Sequence, residues 1–199
     1  KKRTVGVSGR EDSSLNKMEW IMEPTIGNKG IRVQDIMIWR IIQSNIGKRP
    51  IYFSVTVARN NFIGLLDANY LQKVGMAYKL FPEEVSEIDE IKMKENLFNV
   101  YRHRTLKGDK VYFSNNTDKY IPQYRYLYYQ LAAYNMRNQD YKDVVAVIDS
   151  MESAIPPEKL PYSSKRLKSQ IDMFYRRAQN NLKGDSSNTN NMPDLPGNN

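Results

Sequence analysis

The chain of 199 residues contains no cysteine and a single histidine, and both scarcities exclude particular chemistries. Without cysteine it has neither a disulfide framework nor a thiolate ligand for a metal. His103 alone does not supply the several imidazoles of a usual zinc site, and we interpret it as a solvated residue of a basic loop. A Gly-rich phosphate loop, a Gly-x-Ser-x-Gly elbow and metal-ligand spacing are also missing. The sequence therefore predicts no catalytic residue, no cofactor and no metal site.

Long apolar runs are missing as well. Hydrophobic residues make up 40% of the chain, but no stretch approaches the roughly 20 apolar residues that cross a bilayer. We therefore expect no membrane span within these residues.

Positive charge is what the chain has in excess. Its formal net charge is +8, which favours anionic partners such as nucleic acid, phospholipid headgroups or a lipid-linked phosphate. The nucleic-acid hypothesis is the weakest of these, because no nucleic-acid-binding motif accompanies the basic residues.

An apolar helix and a strand dominate the first half of the chain. Asp35 is the expected N-cap of the helix and Gly47 its end, and apolar residues cover most of its circumference. This pattern predicts a mostly buried helix with Trp39 in the core, where truncation to Ala costs about 3–5 kcal/mol. Residues 50–57 alternate as in a strand. Further elements are predicted at 17–23 (strand, with Met18, Trp20 and Met22 on one face), 67–74 (short helix) and 76–81 (strand).

From residue 86 onward the pattern is helical. Ser86 and Asp89 form a weak capping box for a helix that ends near residue 101. Three more helices are expected at 120–137, 141–153 and 163–183, with Tyr120, Leu127, Leu131 and Phe174 packed inside. The predicted fold class is α+β. Its parts are a linker at 1–16, a small α+β unit at 17–83, a helical region at 84–183 and a disordered tail at 184–199.

Residues 125–158 follow the tetratricopeptide pattern of about 34 residues in part. Tyr128 falls at the Trp position and Pro156 at the closing Pro. Asn135, Gln139 and Val144 depart from the pattern where tight turns or close helix packing are needed. We therefore predict one loose helical hairpin and a third helix, with little concave surface.

The first half also carries a family resemblance. The residues that carry it are Asp35, Asn45, the block Arg49 to Phe53 and the series Tyr70, Leu71, Gly75, Ala77, Tyr78, Leu80 and Pro82. This region resembles the soluble C-terminal region of a bacterial multi-spanning membrane-protein family of uncharacterised function, related to protein O-mannosyltransferases of the GT-C type. The resemblance implies a parent glycosyltransferase that takes sugar from a lipid-phosphate donor and faces the periplasm. It also implies that the catalytic half lies in a transmembrane region outside these residues.

Two groups of residues are candidates for contact with a ligand or partner. Arg49 and Tyr52 are candidates for an anion or glycan contact; the alternative, which we favour, is a buried strand start with Arg49 as a hinge residue. Lys165, Arg166 and Lys168 are candidates for partner binding, and the alternative is an ordinary solvated helix face.

The leading functional hypothesis is a non-catalytic periplasmic accessory domain of a membrane glycosyltransferase. It predicts as partners the protein's own transmembrane half, which anchors it, and an acceptor protein or an anionic membrane surface. The alternatives are an independent basic module that binds nucleic acid or anionic lipid and, ranked lower, a stand-alone enzyme.

Overall fold

The structure is a computed structural model that describes residues 2–5, 18–26, 30–103, 106 and 117–189. The chain divides into two units, Lys1–Asn96 and Leu97–Asn199, called here the first and second unit. Antiparallel strands and helices are both present, so the predicted α+β class is confirmed. The division falls after Asn96, later in the chain than the predicted boundary at residue 83. No helix of the described residues is both long enough and apolar enough to cross a membrane.

Two small antiparallel sheets form in the first unit. Strand β1 (Lys2–Val5) pairs with β2 (Met18–Ile21), and the second sheet has the order β3 (Tyr52–Ser54), β5 (Ala77–Leu80), β4 (Leu71–Lys73). The interpretation of residues 1–16 as a linker is therefore wrong for β1. Its partner is distant in the sequence, so local periodicity does not mark it.

The predicted helix at 67–74 is also wrong. Asn69 has a φ of 57°, a left-handed conformation that interrupts a helix, and Leu71–Lys73 then pairs with β5. The strand predicted at 50–57 is shorter than expected. It covers only Tyr52–Ser54 and lies at the edge of its sheet, whereas β5 lies in the middle.

Helix α1 covers Val33–Asn45 and ends before Gly47, whose φ of 75° suits a left-handed helix terminus, as the sequence predicted. Asp35 is not its N-cap, because Arg32 holds that position. The expected extent of burial was wrong too: Ile42 is buried, but Trp39 is only half-buried. The apolar residues of α1 that face solvent are Val33, Ile36, Met37 and Ile41.

The core of the first unit is assembled around β2. Met18, Trp20 and Met22 are buried on the predicted face. The indole nitrogen of Trp20 donates to the carbonyl oxygen of Ile63 at 2.8 Å. The three side chains pack with buried residues from α1 and from later segments. Met18, Trp20 and Met22 thus share a core with Ile42, Ile46, Phe62, Leu65, Tyr70, Leu71 and Leu80. Core and hydrogen bond together hold segments that are far apart in the chain.

Helix α2 (Glu90–Glu95) begins later than predicted. Its N-cap is Asp89, whose carboxylate accepts from the backbone nitrogen of Lys92 at 2.9 Å. Ser86 instead donates its hydroxyl to the carbonyl oxygen of Ile88. Ile91 is 82% exposed. Helix α2 is therefore short, and its exposed side carries Lys92 and Glu95 together with Ile91.

The second unit contains helices α3 (Thr117–Arg137), α4 (Tyr141–Ala154) and α5 (Lys165–Thr189). The hairpin of α3 and α4 and the third helix agree with the prediction. The helix predicted to end near residue 101 continues past α2 as a π-helical turn, Asn96–Val100. Helix α5 continues past Gly184, so the tail predicted from 184 is wrong up to Thr189, and residues 190–199 lie outside the described part.

The core of the second unit follows the helical stripes. Its fully buried members include Leu127, Tyr128, Leu131, Val144, Val147, Met151, Ile171 and Ala178. Phe174 stacks on Tyr129 with the ring centroids 5.6 Å apart. Tyr120, however, is 55% exposed and does not belong to the core. Buried Arg125 donates to the carbonyl oxygens of Ile155, Leu160 and Pro161 and thereby fastens α3 to the segment after α4.

Candidate functional site

One face of the three-stranded sheet is open, and it carries a row of polar side chains. Lys79 of β5 pairs with Tyr52 of β3 on one side and with Gln72 of β4 on the other. Residues directly opposite each other in a sheet point to the same face. We call Tyr52, Ser54, Gln72 and Lys79 the open sheet face. The alternate residues of these strands, including the buried Leu71 and Leu80, point into the core.

The open sheet face offers an aromatic ring, amide and hydroxyl groups and a cation. Tyr52 is 54% exposed. Ser54 shares a hydrogen bond of 2.8 Å with the Thr56 hydroxyl, and Gln72 donates to the Ser86 hydroxyl at 2.8 Å. The Tyr52 ring can stack on a sugar ring, and the amide, hydroxyl and ammonium groups can form hydrogen bonds with the sugar hydroxyls.

Two basic residues lie near Tyr52: Arg49 precedes it by three positions in the chain, and Lys92 is close enough for an electrostatic interaction. Arg49 lies in the turn after α1; its backbone nitrogen donates to Asn45 and its side chain is exposed. Lys92 donates to Glu95 at 2.6 Å, and this hydrogen bond raises the pKa of Lys92, with a smaller contribution from Tyr52. Pro50 and Tyr52 are both exposed, so the alternative of a buried strand start does not hold for these two residues.

Lys73 is a buried cation on the core side of the same sheet, and sequence reasoning missed it. Its side chain is 4% exposed and its ammonium lies 4.7 Å from the centre of the Tyr78 ring. Burial lowers the pKa of Lys73 to about 8, against the opposing effect of Glu87. The residue was assigned to a helix that does not form, so nothing in the pattern marked it as inward-facing.

Asp35, the acidic residue of the family resemblance, has a structural role. It is fully buried, and its carboxylate accepts from the Arg32 guanidinium at 2.8 Å and from the hydroxyl of Thr25. Burial acts to raise the pKa of Asp35, but the hydrogen bonds from Arg32 and Thr25 outweigh it and lower the pKa. Arg32 also donates to the side-chain oxygen of Asn61 at 2.8 Å. This network connects the start of α1 to the segment around Thr25 and to the 3-10 turn Arg59–Phe62.

The predicted partner-binding residues Lys165, Arg166 and Lys168 all lie in the first turns of α5 and are exposed. No acidic residue lies in the first turn. Lys168 donates to Asp172 at 2.9 Å. Cations at a helix N-terminus are unfavourable because that end of the helix dipole is positive. The cluster therefore contributes little to the stability of α5.

A cavity of about 330 Å³ in the second unit is a site that the sequence did not predict. Tyr101, Arg102 and His103 line one side, and Ser150 and Ser153 of α4 line the other. The His103 ring meets the Tyr124 ring edge-on at 5.5 Å, so the interpretation of His103 as a fully solvated residue is wrong. The two sides are distant in the chain, and no sequence motif connects them.

Comparison with known families concerns the first half of the chain. Residues 2–100 match the family model TMEM260-associated domain 2. The matched stretch includes β1 to β5, the open sheet face and the Asp35 network, but not the α3–α4 hairpin or α5. No curated protein and no solved structure matches the chain.

Proposed function

We propose, from the premise that residues 2–100 fit a TMEM260-like family, that the chain is the non-catalytic accessory region of a TMEM260-like membrane protein. An accessory domain is the function that the family match supports directly. The finer proposal is that the parent protein is related to the GT-C O-mannosyltransferases and transfers sugar from a lipid-phosphate donor. In this proposal the accessory region lies on the periplasmic face of a bacterial membrane, anchored by a preceding transmembrane half.

Within this proposal the two units have different tasks. The first unit contacts sugar or phosphate through Tyr52, Arg49 and the open sheet face. The support is geometric: an exposed aromatic ring lies in register with Lys79 and Gln72, whose side chains carry the donors that a glycan or a phosphate accepts from. The second unit holds acceptor protein through the basic first turns of α5.

The docking role of α5 is testable by charge reversal in the longer parent protein. In K165E/R166E/K168E, transfer to acceptor protein should fall because an acidic partner meets repulsion instead of attraction. Stability should change by less than about 0.5 kcal/mol, because the residues are exposed and the gain from acidic groups at a helix N-terminus offsets the loss of the Lys168–Asp172 pair. Initial transfer rates and thermal unfolding measure the two effects.

R176E/R177E is the matched control, since it reverses exposed charges further along the same helix. Reduced transfer only in the first variant supports docking by the start of α5. Unchanged transfer in both variants contradicts docking and leaves the helices as a structural brace. The membrane assignment itself fails if the coding sequence upstream of Lys1 encodes no series of apolar spans.

A further inference from the structure

The outer side of α1 is apolar, and in the part of the chain that the structure describes its side chains are exposed to solvent. Its residues follow the i, i+3, i+4 and i+8 spacing that places side chains on one side of a helix. We call this set, Val33, Ile36, Met37 and Ile41, the outer face of α1; these side chains are 73%, 43%, 59% and 52% exposed. The opposite side, with Ile42 and the following Ile46, is buried in the core. Exposed apolar side chains that share one side of a helix are candidates for an interaction site, and Arg40 and Ser44 lie among them.

The charges that α1 and the turn after it expose to solvent all have one sign. Arg40 is exposed within the face, and Lys48 and Arg49 are exposed at its C-terminal end. From Val33 to Tyr52, a stretch that the structure describes throughout, Asp35 is the single acidic residue, and it is buried and bonded to Arg32. The solvent side of this stretch therefore presents aliphatic side chains and cations without a carboxylate.

We propose that the outer face of α1 lies flat on an anionic phospholipid bilayer. A helix with aliphatic groups on one side and flanking Lys or Arg places the aliphatic groups below the headgroups and the cations at the phosphates. Helix α1 has 13 residues, about 20 Å of helix, which is too short to cross the hydrocarbon core and suits an orientation in the membrane plane. The proposal goes beyond the accessory role and does not require that the parent protein transfers sugar.

The experiment uses the full chain and two kinds of vesicle, pure phosphatidylcholine and phosphatidylcholine mixed with phosphatidylglycerol. Co-sedimentation measures binding to each kind of vesicle. The chain should bind the phosphatidylglycerol vesicles more tightly than the neutral ones. Part of that binding should persist in high salt, because apolar contact is not screened.

The decisive variant is I36Q/M37Q/I41Q, which removes the apolar groups and retains every charge. Gln is a good helix former, so α1 should still fold, and circular dichroism checks this. Binding should weaken by about tenfold or more, since three aliphatic side chains no longer leave water. I91Q and M173Q are matched controls that each remove an exposed apolar side chain from another helix, and they should bind like the wild type.

Three results would overturn the proposal. Failure of the wild-type chain to bind phosphatidylglycerol vesicles contradicts the proposal directly. Equal binding by the wild type and I36Q/M37Q/I41Q shows that the net charge of +8 alone is responsible. The third result is a wild-type chain that binds no vesicles and is dimeric in sedimentation, while I36Q/M37Q/I41Q is monomeric. It would show that a second copy of the chain covers the outer face of α1. None of these results affects the proposed accessory function.

Discussion

The first unit draws its core from β2, α1, the turn around Phe62, and β4 and β5, which are distant from one another in the sequence. The second unit draws its core from three consecutive helices whose buried residues recur every three or four positions. The first core therefore depends on pairing between remote segments. In the second, each helix is specified by its own stripe, and the hairpin follows from a short turn.

The two units also differ in the hydrogen bonding of their buried polar groups. In the first, the Asp35 carboxylate has several donors from Arg32 and Thr25. In the second, Arg125 binds three carbonyl oxygens, but neither polar side-chain atom of the buried Asn135 has a hydrogen-bond partner among the described residues. Unsatisfied polar groups destabilise a core. The buried carboxylate of the first unit thus has several donors, whereas the buried amide of the second unit has no partner among the described residues.

The tryptophans allow the units to be followed separately. Both of them, Trp20 and Trp39, lie in the first unit. Indole fluorescence therefore reports on the first unit, whereas far-ultraviolet circular dichroism reports mainly on the long helices of the second. The predictions below use these two signals.

The largest effect is expected for Trp20→Ala. Trp20 is 2% exposed and bonded to the Ile63 carbonyl, so truncation should lower the free energy of unfolding of the first unit by about 3–5 kcal/mol. Trp39→Ala should cost only about 1–2 kcal/mol, because the side chain is half-buried. Urea unfolding followed through the remaining tryptophan measures each value. Equal costs would contradict the view that α1 is buried on one side only.

A smaller effect, dependent on pH, is expected at Lys73. Its pKa falls from 10.5 to about 8 on folding, so between these values the unfolded chain binds more protons and stability rises with pH. The total gain across this window is up to about 3 kcal/mol. In Lys73→Met the rise should disappear, and stability at neutral pH should increase. Fluorescence-detected urea unfolding at several pH values measures the slope.

Lys79→Met is the matched control for Lys73→Met, because it removes a lysine from the open face of the same sheet. The rise with pH should persist there, since Lys73 is still present. A rise that is equally steep in Lys73→Met would show that other groups cause it.

The smallest effect is expected in the second unit, at Asn135. Replacement by Leu, of similar size, removes two unsatisfied polar atoms and should raise stability by about 1–2 kcal/mol. Thermal unfolding followed by circular dichroism measures the change. Asn138→Leu, at an exposed position just after α3, should be nearly neutral. A loss of stability in Asn135→Leu would show that the amide is hydrogen-bonded, for example to buried water.

The accuracy of the sequence predictions follows the same division. The expected helices at 120–137, 141–153 and 163–183 match α3, α4 and α5 within a few residues, apart from the C-terminal extension of α5. In the first unit β2 and β5 were predicted correctly, but β4 was taken for a helix and β1 for a linker. Strand β4 has only three residues, too few positions for a periodicity, and the structure of β1 and β4 follows from their pairing with other strands.

Part of the candidate site could also be predicted from the sequence, and part required the fold. Arg49 and Tyr52 were selected from the sequence, and both are exposed. Gln72 and Lys79 were not selected, because their place beside Tyr52 depends on the register of β3, β5 and β4. The cavity around His103 also required the fold, since its two sides come from remote segments.

The sequence alone determined the α+β class, the helices of the second unit, the end of α1 at Gly47 and the inward face of β2. Each of these depends on neighbouring residues, through periodicity or through the conformation of a single glycine. Only the tertiary structure decided which side of α1 is covered, that Lys73 is buried, and that Tyr52, Lys79 and Gln72 form one row. These features arise because β-sheet register and burial are set by contacts between distant segments, whose free energy no local pattern contains.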